Sequence, residues 1–535
     1  MPPNATEVLI AGAGPSGLLL ACDLVRRGVS FRIVDKLLIP SDKSRALIVQ
    51  ARTTEVFEQL GLVDELLASG RRIDGSRFFV DGREQVRLDF GSLKIEGAPY
   101  AFLLNVAQDQ TERILTEQLA REGHAVERGV ELVSFEQDAS GVRSRLRLRD
   151  GSEETVKSRF IVGCDGAHSV VRHGLGIAFN GAPYEQDFVL ADVDMDDDIP
   201  RDEFRIFVSN DGVFAVFPMK GEKRVRLLAS RRGVRADAGD PTLPEFQELV
   251  ERFLSTPARL ANPFWLARFR LHHRLADRYS SGRAFLCGDA AHIHSPAGGQ
   301  GMNTGLQDAW NLGWKLALVL QGRARQELLE SYHLERHPVG EFLMQSTDRL
   351  FQMATSGGAV LSFVRRHIAP TLAKAVLHRE GVRRFALSTI GQLGIQYRKS
   401  PIVREGSPRL HEGLAAGDRA PDAGLLDSDG KPTRLFLQLR GLRHKLLLFG
   451  GSAAPQSDEV QQQLAARFPG LVDVHRIFRS ESAVAAGLAD AGIAHERYGV
   501  TEPAQYLIRP DGYIAWRAKG WSAEGLVQFL GESFG

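Results

Sequence analysis

The hydrophobic pattern at the start of the chain predicts a strand, a helix and a second strand. EVLIA (residues 7–11) is a short apolar run typical of a buried strand. LLLACDLVRR (residues 18–27) carries apolar residues at helical spacing until Gly28 ends the pattern. FRIVD (residues 31–35) is again an apolar run of the strand type. Together these segments predict one βαβ unit with two parallel strands.

Alternation of polar and apolar residues predicts two further groups of strands. Residues 105–123 are helical in pattern, and residues 125–162 give alternating runs separated by turn residues, as in an antiparallel meander. Four more candidate strands follow: FVLADVDM, EFRIFVSN, GVFAVFPM and KRVRLLAS. The segment SGRAFLCGDAAH then repeats the strand-and-turn texture of the start, and residues 301–320 predict a long amphipathic helix.

The order of these elements predicts an α/β fold with several domains. The chain enters a first domain (residues 1–176), leaves it for a β-rich insertion (177–278) and returns to it (279–397). A segment with several proline and glycine residues (398–416) predicts a linker, and an α/β module (417–535) follows it.

Composition narrows the function classes. The chain has 535 residues with 67 Lys and Arg against 66 Asp and Glu, so bulk electrostatic binding to nucleic acid is not expected. The three cysteines, Cys22, Cys164 and Cys287, are too scattered for a disulfide framework or a structural zinc site, and we expect no metal. Because there is no uncharged apolar run of about 18 residues, we expect no membrane span and a cytoplasmic protein.

A glycine-rich turn follows the first strand and opens the first helix. GAGPSG (residues 12–17) matches GxGxxG, whose glycines permit a tight turn, close approach of a pyrophosphate and close helix packing. Asp35 ends the second strand, where an acid accepts ribose hydroxyls and repels a 2′-phosphate, so FAD or NAD is favoured over NADP. The predicted dinucleotide contacts are Gly12, Gly14, Pro15, Ser16, Gly17, Asp35 and Lys36.

A second segment, far downstream, favours FAD over NAD. Asp289 directly follows a predicted strand, and a loop of proline and glycine leads from it to the helix that begins near Gly301, Met302 and Asn303. An exposed helix amino terminus there would stabilise negative charge on a reduced flavin ring. His292 and His294 are two residues apart on a loop without further ligands, so a metal site is not expected from them.

Three motifs in this order resemble those of one enzyme family: the GxGxxG with Asp35, GCDGAHSVVR (residues 163–172) and GDAAHIHSPAGGQGMNTG (residues 288–305). The chain resembles the FAD-dependent aromatic hydroxylases, single-component flavoprotein monooxygenases such as para-hydroxybenzoate hydroxylase, phenol hydroxylase and pentachlorophenol monooxygenase. The resemblance implies a Rossmann-type FAD-binding domain, an inserted β-sheet substrate domain and a thioredoxin-like carboxy-terminal domain.

The resemblance also implies roles for individual residues. Asp289 would hold the ribityl chain, Asp165 would lie in a turn near FAD and nicotinamide, and Arg45 and Gln108 would contact the diphosphate and ribityl region. The isoalloxazine would be lined by Pro296, Gly298, Gly301, Met302 and Asn303. A family signature also covers Tyr332, Glu335 and Arg336, for which we expect a structural role at a helix end.

The implied reaction is hydroxylation of a phenolic or polycyclic aromatic substrate. FAD would be reduced by NADPH or NADH, O₂ would be captured as a flavin C4a-hydroperoxide, and one oxygen would pass to the ring. A second GxGxxG unit is missing, so the nicotinamide should bind transiently. Tyr184 and Phe214 are candidate substrate contacts, with core burial as the alternative for Phe214. The ring size of the substrate and the base that deprotonates it stay open.

The last domain lacks the residues for thiol chemistry. No cysteine occurs between residues 288 and 535, so this domain cannot exchange disulfides, and packing, stability or homodimer formation remains as its role.

Two alternatives to a hydroxylase remain at this stage. One is an FAD-dependent dehydrogenase or oxidase that inserts no oxygen, and the other is a non-catalytic FAD-binding protein.

Overall fold

A computed structural model describes residues 5–41, 44–209, 212–231, 239–254, 256–294, 298–355, 379–450, 456–479 and 487–534. The helices of this part of the chain are α1 Pro15–Arg26, α2 Ala51–Leu60, α3 Val63–Ser69, α4 Gln108–Arg121, α5 Val170–Gly174, α6 Leu243–Phe253, α7 Gly301–Leu320, α8 Glu330–Thr355, α9 Glu380–Ile390, α10 Leu435–Leu439, α11 Gln456–Arg467, α12 Ile493–Tyr498 and α13 Ala523–Phe534.

The strands alternate with these helices along the chain. They are β1 Ala5–Ala11, β2 Phe31–Asp35, β3 Ile48–Val49, β4 Arg71–Ile73, β5 Gly75–Val80, β6 Arg83–Asp89, β7 Leu103–Asn105, β8 Glu127–Arg128, β9 Glu131–Gln137, β10 Val142–Arg147, β11 Glu153–Gly163, β12 Phe179–Asp196, β13 Glu203–Ser209, β14 Gly212–Pro218, β15 Arg224–Arg231, β16 Arg259–Ala276, β17 Ser280–Ser281, β18 Ala284–Leu286, β19 His292–Ile293, β20 Arg404–Glu405, β21 Gly424–Leu426, β22 Pro432–Arg434, β23 His444–Gly450, β24 Val472–Phe478, β25 Leu488–Ala489, β26 Ala504–Ile508 and β27 Ile514–Lys519.

The first sheet carries the predicted βαβ unit at its centre. Its strand order is β17-β18-β11-β1-β2-β8, and β9 and β10 extend it as an antiparallel meander on β11. Strand β1 lies between β2 and β11, and β11 pairs with β18, all in parallel. The carboxyl ends of β1, β11 and β18 therefore meet at one edge, which is where ligands bind in open α/β sheets. All three sequence motifs follow these strand ends.

The second sheet is built mainly from the β-rich insertion. Its order is β19-β16-β12-β15-β14-β13-β5-β6, and the apolar side of α6 covers one face through Phe246, Leu249 and Val250. The hairpin β5–β6 lies within the span expected to belong to the first domain, yet it pairs in parallel with β13. Pairing between segments so distant in sequence leaves no local signal, so the sequence does not show that this hairpin joins the second sheet.

The third sheet belongs to the last part of the chain, with the order β20-β27-β26-β23-β24-β25-β21-β22. Strand β20 lies inside the segment predicted as a linker, and its residues pair in parallel with β27. The mixed α/β architecture is confirmed, and a thioredoxin-like topology for this domain stays a prediction. Of the helices in the described ranges, none is both long and apolar enough to span a membrane.

Buried ion pairs connect the last domain to the first. Glu335 on α8 accepts hydrogen bonds from Lys315 Nζ on α7 (2.8 Å) and from Arg509 Nη2 (2.9 Å), and all three side chains are fully buried. Arg509 also pairs with Asp511. Burial alone would raise the pKa of Glu335, but Arg509 and Lys315 hold that pKa well below its usual range. Glu335 thus has a structural role, in the core rather than at a helix end.

Removal of Arg509 tests this connection. Arg509→Ala leaves Glu335 buried beside a single cation, so we expect a loss of about 3–5 kcal/mol of unfolding free energy. Arg398→Ala is the control, because Arg398 is 54% exposed in its pair with Asp418, and such pairs contribute at most about 1 kcal/mol. Urea denaturation followed by circular dichroism compares them, and equal midpoints for the two variants would contradict the role of Arg509.

Candidate active site

The glycine turn between β1 and α1 is shaped by contacts that exclude side chains. Gly12 has φ +99°, and a Cβ there would lie 2.3 Å from the carbonyl oxygen of Cys164. A Cβ on Gly17 would lie 2.1 Å from the carbonyl oxygen of Gly12. At Gly14, by contrast, a Cβ would meet no described atom within 4 Å. Packing therefore requires glycine at positions 12 and 17, whereas Gly14 faces open space.

Helix α1 starts at this turn and meets two other glycines. Pro15 is its first residue, and no side chain caps its amino terminus. A Cβ on Gly288 or on Gly305 would lie 2.6 Å or 2.5 Å from Ser16 Oγ. The first and third motifs thus meet at Ser16, which lies between the turn after β18 and helix α7.

Asp35 holds the glycine turn at the end of β2. Its carboxylate accepts hydrogen bonds from the backbone amides of Ala13 and Leu37, both at 2.8 Å. Arg128 Nη1 lies 3.5 Å from the same carboxylate. The side chain of Asp35 is 13% exposed, and Lys36 beside it is exposed. Contact of Asp35 and Lys36 with the adenosine ribose stays a prediction.

Gln108 positions the loop that carries Arg45. The Gln108 side-chain oxygen accepts a hydrogen bond from the Ala46 amide (3.1 Å), and the Gln108 amide donates to Ser44 Oγ (2.7 Å). Arg45 itself is exposed. Gln108 therefore fixes the loop on both sides of Arg45. These bonds favour a role in which Gln108 positions the loop for a ligand rather than contacting the ligand itself.

The second motif forms a turn that is tied to the third. Asp165 accepts a hydrogen bond from the Val170 amide (2.7 Å) at the start of α5, and partial burial raises the pKa of its carboxyl. Arg172 is buried and donates to the carbonyl oxygens of Ala290 (3.0 Å) and Ala167 (2.9 Å). Arg172 was not among the predicted residues, and its place at the end of GCDGAHSVVR is the signal that marks it.

Asp289 is a carboxylate without a protein partner. It lies in the short helical turn after β18, is exposed, and receives no hydrogen bond from the residues that the structure describes. Surrounding protein atoms partly desolvate the Asp289 carboxyl and raise its pKa, while the nearby His292 and Arg45 oppose this rise. An unpartnered carboxylate that faces open space fits the hydroxyl groups of a ribityl chain.

Helix α7 begins at Gly301, as the sequence predicts. Its amino terminus has no side-chain cap and no acidic residue in the first turn. Gly298 has φ +81° in the preceding loop, and Met302 is half-buried against the core. Pro296 lies outside the described residues. Unpaired amides at this helix end leave a site for a partial negative charge.

The side chain of Asn303 is committed to the protein rather than to a ligand. Its oxygen accepts a hydrogen bond from the Gln50 amide (2.8 Å), and its nitrogen donates to the carbonyl oxygens of Ile48 and Gly299 (2.8 Å each). Gln50 in turn donates to the Gly298 carbonyl (2.7 Å). Asn303 therefore fixes the loop before α2 against the glycine loop, and only its backbone amide is left for a ligand.

The two candidate substrate contacts lie on opposite faces of the second sheet. Phe214 is fully buried on the face covered by α6, where it stacks on Phe253 at 5.2 Å. The structure therefore gives no support to its contact with a substrate and fits the alternative of core burial. Tyr184 lies on the other face, near Phe188 and Leu228, and its contact with a substrate stays a prediction.

The open space at Gly14, the uncapped starts of α1 and α7 and the unpartnered Asp289 fit the phosphate, flavin and ribityl parts of FAD. Residues 5–347 match the FAD binding domain family, and residues 414–535 match the carboxy-terminal domain of aromatic-ring hydroxylases. The chain belongs to the FAD-dependent aromatic hydroxylases.

The chain is similar to several named aromatic hydroxylases over nearly their whole length. The chain is 37% identical to 6-methylpretetramide 4-monooxygenase of Streptomyces rimosus, over 97% of this chain and 92% of that protein. It is 33% identical to pentachlorophenol 4-monooxygenase of Sphingobium chlorophenolicum, over 98% and 96%. A ternary complex of aklavinone-11 hydroxylase with FAD and aklavinone superimposes with a TM-score of 0.79 at 25% identity, over 99% of each chain.

Together these matches confirm the predicted flavin-dependent aromatic monooxygenase with FAD as its cofactor.

A pair of glycine variants tests the phosphate end of the site. Gly14→Ala should keep the stability of the apoprotein, because its Cβ meets no described atom, but should weaken FAD binding by blocking the open space. Gly12→Ala should instead destabilise the fold, because its Cβ would clash with Cys164. Thermal unfolding and fluorescence titration with FAD measure the two effects. FAD binding at parental affinity by Gly14→Ala would contradict the assignment.

Asp289 variants test the ribityl end. A hydrogen bond to a charged group contributes about 1.5–3 kcal/mol, so Asp289→Ala should raise the FAD dissociation constant about tenfold or more. Asp289→Asn keeps the shape and one acceptor oxygen, and should bind FAD with intermediate affinity. An unchanged flavin content in purified Asp289→Ala protein would exclude this role.

Proposed function

We propose that this protein hydroxylates a fused-ring phenolic compound, using FAD, O₂ and NADPH or NADH. The observation that carries the proposal is the broad apolar face of the second sheet opposite α6. Large side chains on this face are only half-buried, although they lie inside the protein fold: Phe78, Phe204, Phe217, Leu228, Trp265 and Phe269. Half-buried aromatic residues in a row are typical of a surface that a flat apolar ligand covers.

The width of this face favours more than one ring. Phe217 lies on β14, Leu228 on β15 and Phe269 on β16, with β12 between β15 and β16. Neighbouring strands lie about 4.8 Å apart, so these side chains extend over about 14 Å. A single phenol ring would cover only part of that length. Relatives of this chain act on polycyclic as well as phenolic substrates, and both classes are compatible with the family.

The same face is tied to the FAD-binding loops. Arg226 on β15 pairs with Asp192 through two hydrogen bonds of 2.7 Å and lies 3.5 Å from the carbonyl oxygen of Arg45. Asn105 Nδ2 donates to the carbonyl oxygen of Pro218 (2.7 Å). A substrate on this face would therefore lie next to the loops that precede α2 and α4.

The residues of the chain act by binding, orienting and excluding water. Bound FAD supplies the chemistry that activates O₂ and transfers one oxygen atom to the ring. Asp289 would hold the ribityl hydroxyls, and the positive end of α7 would stabilise negative charge at the carbonyl end of the flavin. The apolar face would orient the substrate ring and exclude water from it.

Anaerobic reduction of the bound flavin by NADPH and by NADH tests the proposal. With a panel of fused-ring phenols, we expect at least one compound to accelerate bleaching of the flavin about tenfold, a change of ~1.4 kcal/mol in the barrier. In air with ¹⁸O₂, the same compound should gain one labelled oxygen. Acceleration by monocyclic phenols alone would contradict the fused-ring proposal. Turnover without label would favour a dehydrogenase or oxidase.

A matched pair of variants locates the substrate. Leu228→Trp fills the apolar face and should abolish the response to fused-ring phenols while FAD still binds. Phe214→Leu changes the opposite face, under α6, and should lower stability without changing which compounds accelerate reduction. The reverse pattern would place the substrate on the face covered by α6 and would contradict the proposal.

A further inference from the structure

His294 is a buried histidine that the mechanism above does not use. It directly follows β19, which pairs with β16, and precedes the glycine loop that leads to α7. Only 8% of the residue is exposed. Its ring stacks on His292, with 4.8 Å between the ring centroids and 24° between the planes. The position of the imidazole is thus fixed by packing.

The two histidines differ in their hydrogen bonds. His292 Nε2 lies 2.6 Å from Asp308, which is also paired with Arg336. In His294, neither ring nitrogen has a partner among the residues that the structure describes. Buried polar groups are almost always hydrogen-bonded, so two unpaired nitrogens on a ring beside an uncapped helix start leave a place for a ligand atom.

The protonation state of His294 suits a neutral hydrogen-bonding group. Burial lowers the pKa of the ring to about 3, with a further contribution from the neighbouring His292. The imidazole is therefore neutral at pH 7 and offers one donor and one acceptor.

The unpaired ring lies at the start of helix α7. A Cβ on Gly301, the first residue of α7, would lie 3.9 Å from His294 Cδ2. The amino terminus of this helix has no side-chain cap. Two independent features, unpaired backbone amides and an unpaired buried imidazole, therefore meet at one place.

We propose that His294 makes a hydrogen bond to the flavin ring of bound FAD beside the amino terminus of α7. His294 lies within GDAAHIHSPAGGQGMNTG (residues 288–305), but it is not among the FAD contacts that the sequence predicts. The inference concerns the cofactor alone, so it is independent of the fused-ring substrate and can be tested without any aromatic compound.

Titration of the apoprotein with FAD is the direct test. His294→Phe keeps a flat ring on His292 but removes both nitrogens, so it leaves a flavin polar atom unpaired. We expect the FAD dissociation constant to rise about tenfold and the visible absorption band of the bound flavin to shift. His294→Gln restores a donor and an acceptor, and should recover most of the affinity. Parental affinity and an unchanged flavin spectrum in His294→Phe would overturn the proposal.

His444 provides a matched control within the same chain. It lies on β23 of the last domain, is fully buried, and has no partner for either ring nitrogen in the described residues. Its ring packs against Phe534 and against Trp314 in the second half of α7, away from the amino terminus of that helix. Burial lowers its pKa to about 3 as well. His444→Phe should leave FAD affinity and the flavin spectrum unchanged. An equal loss of FAD affinity in His444→Phe and His294→Phe would show a general effect of an altered buried histidine and would overturn the contact.

An effect of His294→Phe that appears only when an aromatic compound is added would also overturn the proposal, because it would assign the imidazole to the substrate. Thermal unfolding of each apoprotein shows whether the variants fold.

Discussion

The position of helix α7 depends on buried charges that must remain paired. Asp308, in the first half of the helix, receives hydrogen bonds from His292 and Arg336, and Lys315, about two turns later, bonds to Glu335. A charged group buried without its partner is strongly unfavourable, so small displacements of α7 relative to α8 are costly. The amino terminus of α7 is thereby held in place beside the glycine loop, where the flavin ring is predicted to bind.

Glycine backbones make this arrangement possible at the other side of the helix. Ser16 on α1 fits between Gly288 and Gly305, and any side chain at either glycine would occupy the space of its hydroxyl group. Because β1, β11 and β18 are parallel neighbours, their carboxyl ends bring the glycine turn, the Asp165 turn and the Asp289 turn to one edge. Close backbone packing and paired charges therefore act on the same helix from two directions.

The amino-acid sequence predicts the parts of this site that depend on local patterns. The strands β1 and β2, the start of α7 at Gly301 and the open space at Gly14 all follow from periodicity or from the spacing of glycines. Partners distant in sequence leave no such signal. Glu335 and Arg509 are separated by 174 residues, and neither has a motif that names the other.

Side-chain direction is the other part that local patterns leave open. Strand periodicity puts Phe214 on one of two faces, and only the position of α6 shows that this face is the core. Likewise, the motif includes Asn303, but its bonds to Ile48 and Gln50 arise from a loop more than 250 positions away.

The carboxy-terminal domain, which has no cysteine, contacts two helices that begin near the predicted flavin site. Helix α2 begins directly after Gln50 and α7 begins at Gly301, so both start at the loops that Asn303 joins. The last domain bonds to α2 through Arg419 and Arg434, which pair with Glu55 and Glu58. It bonds to α7 through Asp511, which accepts a hydrogen bond from Asn311 at 3.3 Å.

Glu55 and Glu58 on α2 are almost fully buried, so their charges need nearby cations. The basic residue of α2 is Arg52, which pairs with Glu55 but not with Glu58. The cations for the remaining charges come from the last domain. Without the last domain, Glu58 would therefore have no cation on the helix that starts at the flavin loop. By this reasoning the carboxy-terminal domain is a structural part of the active site, although none of its residues is predicted to contact FAD.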